Sequence, residues 1–108
     1  MADARAIYRE GFDHFVNDRL PEAIAGYRQA LEADPELAIA WNALAIALER
    51  SGELDAAIDA AKRLIELEPD EPLSHTSLSR LYQQKGMIPE AEDEQALAMR
   101  LTQREQGS

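Results

Sequence analysis

Two histidines, two dense acidic clusters and a set of arginines beside aromatics are the side chains best equipped for chemistry in this sequence. A histidine titrates near neutrality and serves as base, acid or metal ligand. His14 and His75, however, have no Cys or His partner at the spacing of a zinc site. The chain contains no cysteine, which removes disulfides, thiolate ligands and a cysteine nucleophile together. Both histidines fall on apolar stripes, so both are expected to pack rather than react. The clusters Glu66–Glu71 and Glu90–Glu94 are candidates for paired carboxylates or a hard-cation site. The first straddles a loop and lacks the glycine and spacing of a calcium-binding loop. In the second, Glu90, Glu92 and Asp93 fall in the opening turn of a helix, where the macrodipole favours negative charge. No nucleophile motif, phosphate loop or dinucleotide fingerprint is present. The expectation is a protein that is not an enzyme, with no cofactor and no metal site.

Charge narrows the partners further. The 108 residues carry 21 acidic and 11 basic side chains, a net charge of −10. A nucleic acid or an anionic membrane surface is repelled by such a chain, so neither is an expected partner. No run approaches the roughly 18 apolar residues of a membrane span, and Met1-Ala2-Asp3-Ala4-Arg5 opens without an apolar signal region. The cytoplasm is the expected compartment. Hydrophobic residues make up 45% and charged residues 30%, the balance of a folded single domain. The apolar content leans on Ala and Leu, which lose little rotamer freedom in a helix.

The elements that position these residues emerge when the sequence is slid along itself by 34. Leu20, Leu54 and Ile88 then align, as do Ala23, Ala57 and Ala91. Pro35 pairs with Pro69, Gly52 with Gly86, and Leu44 with Leu78. Three repeats follow, at 4–37, 38–71 and 72–105, with Met1–Asp3 and Gln106–Ser108 outside them. Each reads as two helices. In the second, Ile39, Trp41, Leu44, Ala45 and Leu48 form a stripe at helical spacing that Ser51-Gly52 stops. Leu54, Ala57, Ile58, Ala61, Leu64 and Ile65 form the next, stopped by Pro69. Pro21 and Pro89 suit an opening helical turn, where a missing N–H costs nothing. Asp70 is a candidate N-cap for the helix that follows it. No alternating run or hairpin dipeptide predicts a strand.

A 34-residue helix–turn–helix unit resembles the tetratricopeptide repeat, with its pattern W-x₂-L-G-x₂-Y…A-x₃-F…P. The second repeat carries it best, through Trp41, Leu44, Ala57, Ala61 and Pro69, with Ala45 for Gly and Leu48 for Tyr. The first contributes Gly11, Ala23, Tyr27, Ala30 and Pro35, with Ile7 for Trp; the third contributes Leu78, Tyr82, Gly86, Ala91 and Ala98, with His75 for Trp. Small residues at Gly11, Ala45 and Ser79, facing Ala23, Ala57 and Ala91, allow paired helices to approach closely. The resemblance implies an all-α solenoid of three repeats in a right-handed superhelix. Its last helix is the expected cap, with Gln95 where the first repeat has Tyr27.

The resemblance also implies a protein-binding role, an adaptor or scaffold whose first helices line a concave groove. From the first repeat the groove positions are Arg5, Tyr8, Arg9, Phe12, Phe15 and Val16. The second gives Ile39, Asn42, Ala43, Ile46, Glu49 and Arg50, and the third Leu73, Thr76, Ser77, Arg80, Gln83 and Gln84. Four arginines and one acid give this list +3, against −13 for the remaining seven basic and twenty acidic residues. Arginines and aromatics are enriched at binding hot spots, so an apolar-acidic peptide or protein segment is the expected partner. Self-association through Tyr8, Phe12, Phe15 and Val16, as a weak homodimer, is the competing expectation. The clamp some family members use for acidic chaperone tails needs Lys, Asn and Arg at set places. Tyr8, Phe12, Ala43, Leu73 and Ser77 stand there instead, so a heat-shock chaperone tail is not expected to bind.

Overall fold

Periodic apolar stripes broken at fixed intervals become six helices in the computed structural model, which describes residues 3–107. Met1 and Ala2 of the opening segment, and Ser108, lie outside the described residues. The helices are α1 (Ala4–Val16), α2 (Leu20–Ala33), α3 (Ala38–Arg50), α4 (Leu54–Leu67), α5 (Pro72–Lys85) and α6 (Ile88–Gly107). No strand occurs among the described residues. None of the helices is long and apolar enough to cross a membrane.

The helix ends show which local chemistry won. Asp3 caps α1, its carboxylate accepting from the Arg5 N–H. Pro21 sits in the first turn of α2, and Pro89 is the second residue of α6. The expected cap at Asp70 is corrected to Glu71, whose carboxylate accepts from the Leu73 N–H at 3.2 Å. Pro72 is the reason: it occupies the first helical position with its φ already set, so the residue just before it must be the cap. The last helix, α6, runs on to Gly107. Gln103, Arg104, Glu105 and Gln106 are good helix formers, and nothing before Gly107 stops them.

Inside each repeat the first helix turns into the second through a left-handed residue. Gly52 (φ 84°) and Gly86 (φ 81°) supply two of these. Asp18 (φ 61°), also 34 residues before Gly52, supplies the third. Glycine adopts that conformation freely, and Asp is among the few other residues that tolerate it.

Helices pack most closely within the pairs α1·α2, α3·α4 and α5·α6, then between successive pairs, and α1 also meets α3. The result is elongated, 42 × 32 × 21 Å. Its core is Ala-rich: Ala23, Ala30, Ala40, Ala47 and Ala57 are wholly buried, with Tyr27, Leu48 and Leu81 filling between them. Small residues set the spacing. A Cβ on Gly26 would lie 3.0 Å from the Gly11 Cα, so α1 and α2 touch backbone to backbone there. In the third pair Ser79 has the small-residue position, and its buried hydroxyl donates to the Ala91 carbonyl at 2.7 Å.

The outer faces differ from this interior. Leu44 and Leu78 are buried, but Glu10 stands exposed at their place on α1. Ile24 and Ile58 are buried, but Glu92 stands exposed at theirs on α6. Ala91, Ala98 and Leu101 turn the other side of α6 into the core.

Candidate functional site

Because the repeats share one register, equivalent side chains of α1, α3 and α5 form rows across the molecule. Arg5, Ile39 and Leu73 make one row, and Phe12, Ile46 and Arg80 another. Between α1 and α3 these rows open into a cleft of about 150 Å³. Its walls are Tyr8, Phe12 and Phe15 on one side, and Ile39, Asn42, Ala43 and Ile46 on the other, with Tyr27 reaching in from α2. The glycine contact between α1 and α2 makes room for this: Tyr27 packs where a Cβ on Gly11 would come within 2.9 Å of its ring. Tyr27 stacks on Tyr8 with centroids 5.6 Å apart, and Tyr8 lies 6.3 Å from Phe12. Burial, and then the neighbouring Tyr8, push the Tyr27 hydroxyl up to about 12. Above this floor the apolar edges are open: Phe12 is 47% exposed, Ile39 44% and Ile46 40%.

A second cleft of about 330 Å³ opens between α3 and α5. Ile39 and Asn42 belong to both, so the clefts form one groove along α3. Leu73, Ser74 and Ser77 line it from α5, Leu64 from α4, and Glu68 and Glu71 from the connecting loop. Sequence reasoning placed the groove on first helices alone and so missed Tyr27, Leu64, Glu68 and Glu71. The signal for the two acids was their position flanking Pro69, at a loop that enters α5.

The sequence-predicted residues therefore divide. Tyr8, Phe12, Phe15, Asn42 and Ile46 come together in the first cleft, and Leu73 lines the second. Arg5 and Arg9 line neither; they stand exposed on α1, each three residues before an aromatic of the first cleft. Arg50 lies over the Phe15 ring, its guanidinium carbon 4.7 Å from the centroid, a cation–π contact. Arg80 requires a correction, since it is no free groove cation. Its Nε and Nη2 donate to the Glu49 carboxylate at 3.0 and 2.9 Å, and Gln84 donates to the same group. The fork matches a carboxylate in both bonds at once, so α3 and α5 are tied together and the two charges cancel. The Arg80 bond holds Glu49 below its ordinary carboxylate value against the opposing effect of burial, and the same bond raises Arg80.

The histidines are structural. Trp41 donates its indole N–H to the Pro35 carbonyl at 2.7 Å. One repeat later His75, which is 3% exposed, donates from Nε2 to the Pro69 carbonyl at 2.7 Å. Its Nδ1 lies 2.7 Å from the Glu94 carboxylate. His14 is half-exposed and accepts at Nδ1 from Arg19 Nε at 3.1 Å. Among the described residues no group of three His, Asp or Glu is placed to hold a metal ion.

Solved structures share this architecture. MamA superposes with a TM-score of 0.94 at 25% identity, over 98% of this chain and 62% of MamA. A chain of the CopN–Scc3 complex gives 0.88 at 21% identity, over 93% of this chain and 59% of that one. The first tetratricopeptide domain of Spaghetti (RPAP3), bound to an HSP90 peptide, gives 0.85 at 18% identity, over 92% and 79%. At those last two identities the likeness is one of fold alone. The chain spans about three-fifths of the length of the MamA chain. A sequence comparison with curated proteins finds no match. The tetratricopeptide repeat family model matches residues 8–72, and with three helix pairs in 34-residue register around it, the chain belongs to the tetratricopeptide repeat family.

Proposed function

We propose that this chain is a non-catalytic protein-interaction module, an adaptor or scaffold of the cytoplasm, that holds a peptide or partner segment across α1, α3 and α5. The observation that carries this is the first cleft: Phe12, Ile39 and Ile46 stay exposed around a stacked Tyr8–Tyr27 floor. Open apolar walls around rigid aromatics, with arginines at the rim, are the composition of a binding hot spot. Bulky apolar side chains of the partner supply most of the affinity, and an acidic residue meets Arg5 and Arg9, whose role is register. Partners held by proteins of this fold, in the complexes named above, support the reading at the level of fold. An acidic chaperone tail is not the partner, because Tyr8, Phe12, Ala43, Leu73 and Ser77 offer it no clamp.

A three-repeat groove buries area at the low end of specific interfaces, so micromolar affinity is expected. The test is titration of a fluorescent library of acidic, aromatic-containing peptides. Phe12→Ala with Ile46→Ala should weaken the best binder about tenfold or more. Binding unchanged by that pair would overturn the groove reading.

The second reading is self-association. Phe12 and Val16, 47% and 59% exposed, neighbour each other on α1 and form a patch that a second copy covers. A molar mass that rises with concentration in light scattering, and stays at 12.0 kDa in Phe12→Ala, would favour it.

A further inference from the structure

The groove is charged differently at its two sides. We infer that it selects a partner segment with an acidic side chain at one end, a basic side chain at the other and an apolar one between. This deepens the groove reading and rests on it. On the α1 side stand Arg5 and Arg9, both exposed, neither in an ion pair with a carboxylate among the described residues. Arg50, over the Phe15 ring, adds a third positive charge on this side, while in the middle Glu49 and Arg80 cancel and Ile39, Asn42 and Ile46 form the walls. On the α5 side Glu68 and Glu71 line the second cleft beside Leu73, and no cation among the described residues pairs with either.

The register aligns these groups. Arg5, Ile39 and Leu73 occupy the same place in successive repeats, and Glu68 and Glu71 line the cleft beside Leu73, so a positive station, apolar ones and an acidic one follow one another across the groove. Two interaxial steps of ~8–10 Å separate α1 from α5. An extended chain advances about 3.3 Å per residue, so roughly six residues separate the two charges of a matching segment. A doubly acidic segment meets Glu68 and Glu71, and a doubly basic one meets Arg5 and Arg9. The like-charged contact rejects each, and the mixed segment is admitted in one direction only.

Three labelled peptides test this against the full chain: Ala-Asp-Ala-Ala-Phe-Ala-Ala-Lys-Ala, and its forms with Asp at both charged places or Lys at both. The mixed peptide should bind tightest, by about threefold or more over either other, the scale of exposed charge pairs. Glu68→Lys should move the preference to the doubly acidic peptide, and Arg5→Glu with Arg9→Glu to the doubly basic one. Glu71 is left alone because it caps α5, and circular dichroism checks that each variant keeps its helices. A wild-type preference for the doubly acidic peptide, or an order of binding unmoved by Glu68→Lys, would overturn the inference. In that case a loss of all three peptides in Phe12→Ala would leave the groove reading standing. Indifference of all three to Phe12→Ala would remove the groove reading itself.

Discussion

Tyr27 forms the floor of the first cleft, and its environment can be read by titration. An ordinary phenol ionises near 10, while this one is pushed up to about 12, chiefly by burial. The folded state therefore keeps the full stabilisation from the neutral hydroxyl below pH 10 and loses it as the pH climbs through 12. Tyr27→Phe should abolish the last step of phenolate absorbance and move alkaline unfolding to higher pH. His75 was legible as a packing residue from its place in the Trp41 stripe. Its bond to Glu94 was not, because that partner comes from another helix, 19 residues on. Removing one member of a buried pair strands the other, and Glu94 keeps some solvent, with 23% of its side chain exposed. His75→Ala should cost about 2–3 kcal/mol in chemical denaturation. The same change at half-exposed His14 should cost under about 1 kcal/mol.

Among the elements, the α1·α2 pair is the tightest fit. Gly26→Ala would gain about 1 kcal/mol in helix propensity, but its new Cβ meets backbone at 3.0 Å. Overpacking against a rigid neighbour should win, with a net loss of about 1–3 kcal/mol. Gly107→Ala has nothing within 4 Å and should be neutral or slightly stabilising, which a pair of thermal melts can compare. Gly11 was visible in the family pattern. Gly26 was not, because Ala60 and Glu94 hold its place in the other repeats. The turns repeat the lesson. Gly52 and Gly86 announce a left-handed residue, while Asp18 adopts the same backbone with no glycine to mark it. Helix existence followed from apolar spacing, and the cap at Glu71 turned on a single proline. Long-range side-chain pairing stayed hidden: nothing local to Arg80 foretells that Glu49, 31 residues away, neutralises it.

As a whole the molecule is a short stack in which each helix pair is stabilised by its neighbours. The α6 helix covers the apolar side of α5 around Leu78, Ser79 and Tyr82, all buried. Ending the chain after Gly86 should therefore lose helicity or cause aggregation; a soluble 1–86 fragment with a cooperative melt would refute the cap assignment. The groove's polarity is also a property at this scale, since its positive and acidic sides lie on different repeats. Sequence reading saw the arginines because they sit on first helices, and passed over Glu68 and Glu71 because they sit in a loop. One further consequence follows from Trp41. It is the chain's one tryptophan, held in the central repeat by the Pro35 carbonyl and covered by the Arg63 guanidinium 5.5 Å from its ring. The molecule thus carries a single optical gauge at its midpoint. Fraying of α1 or α6 lowers helical ellipticity while the indole emission stays still. The gap between those two signals during denaturation measures how far the ends open before the middle gives way.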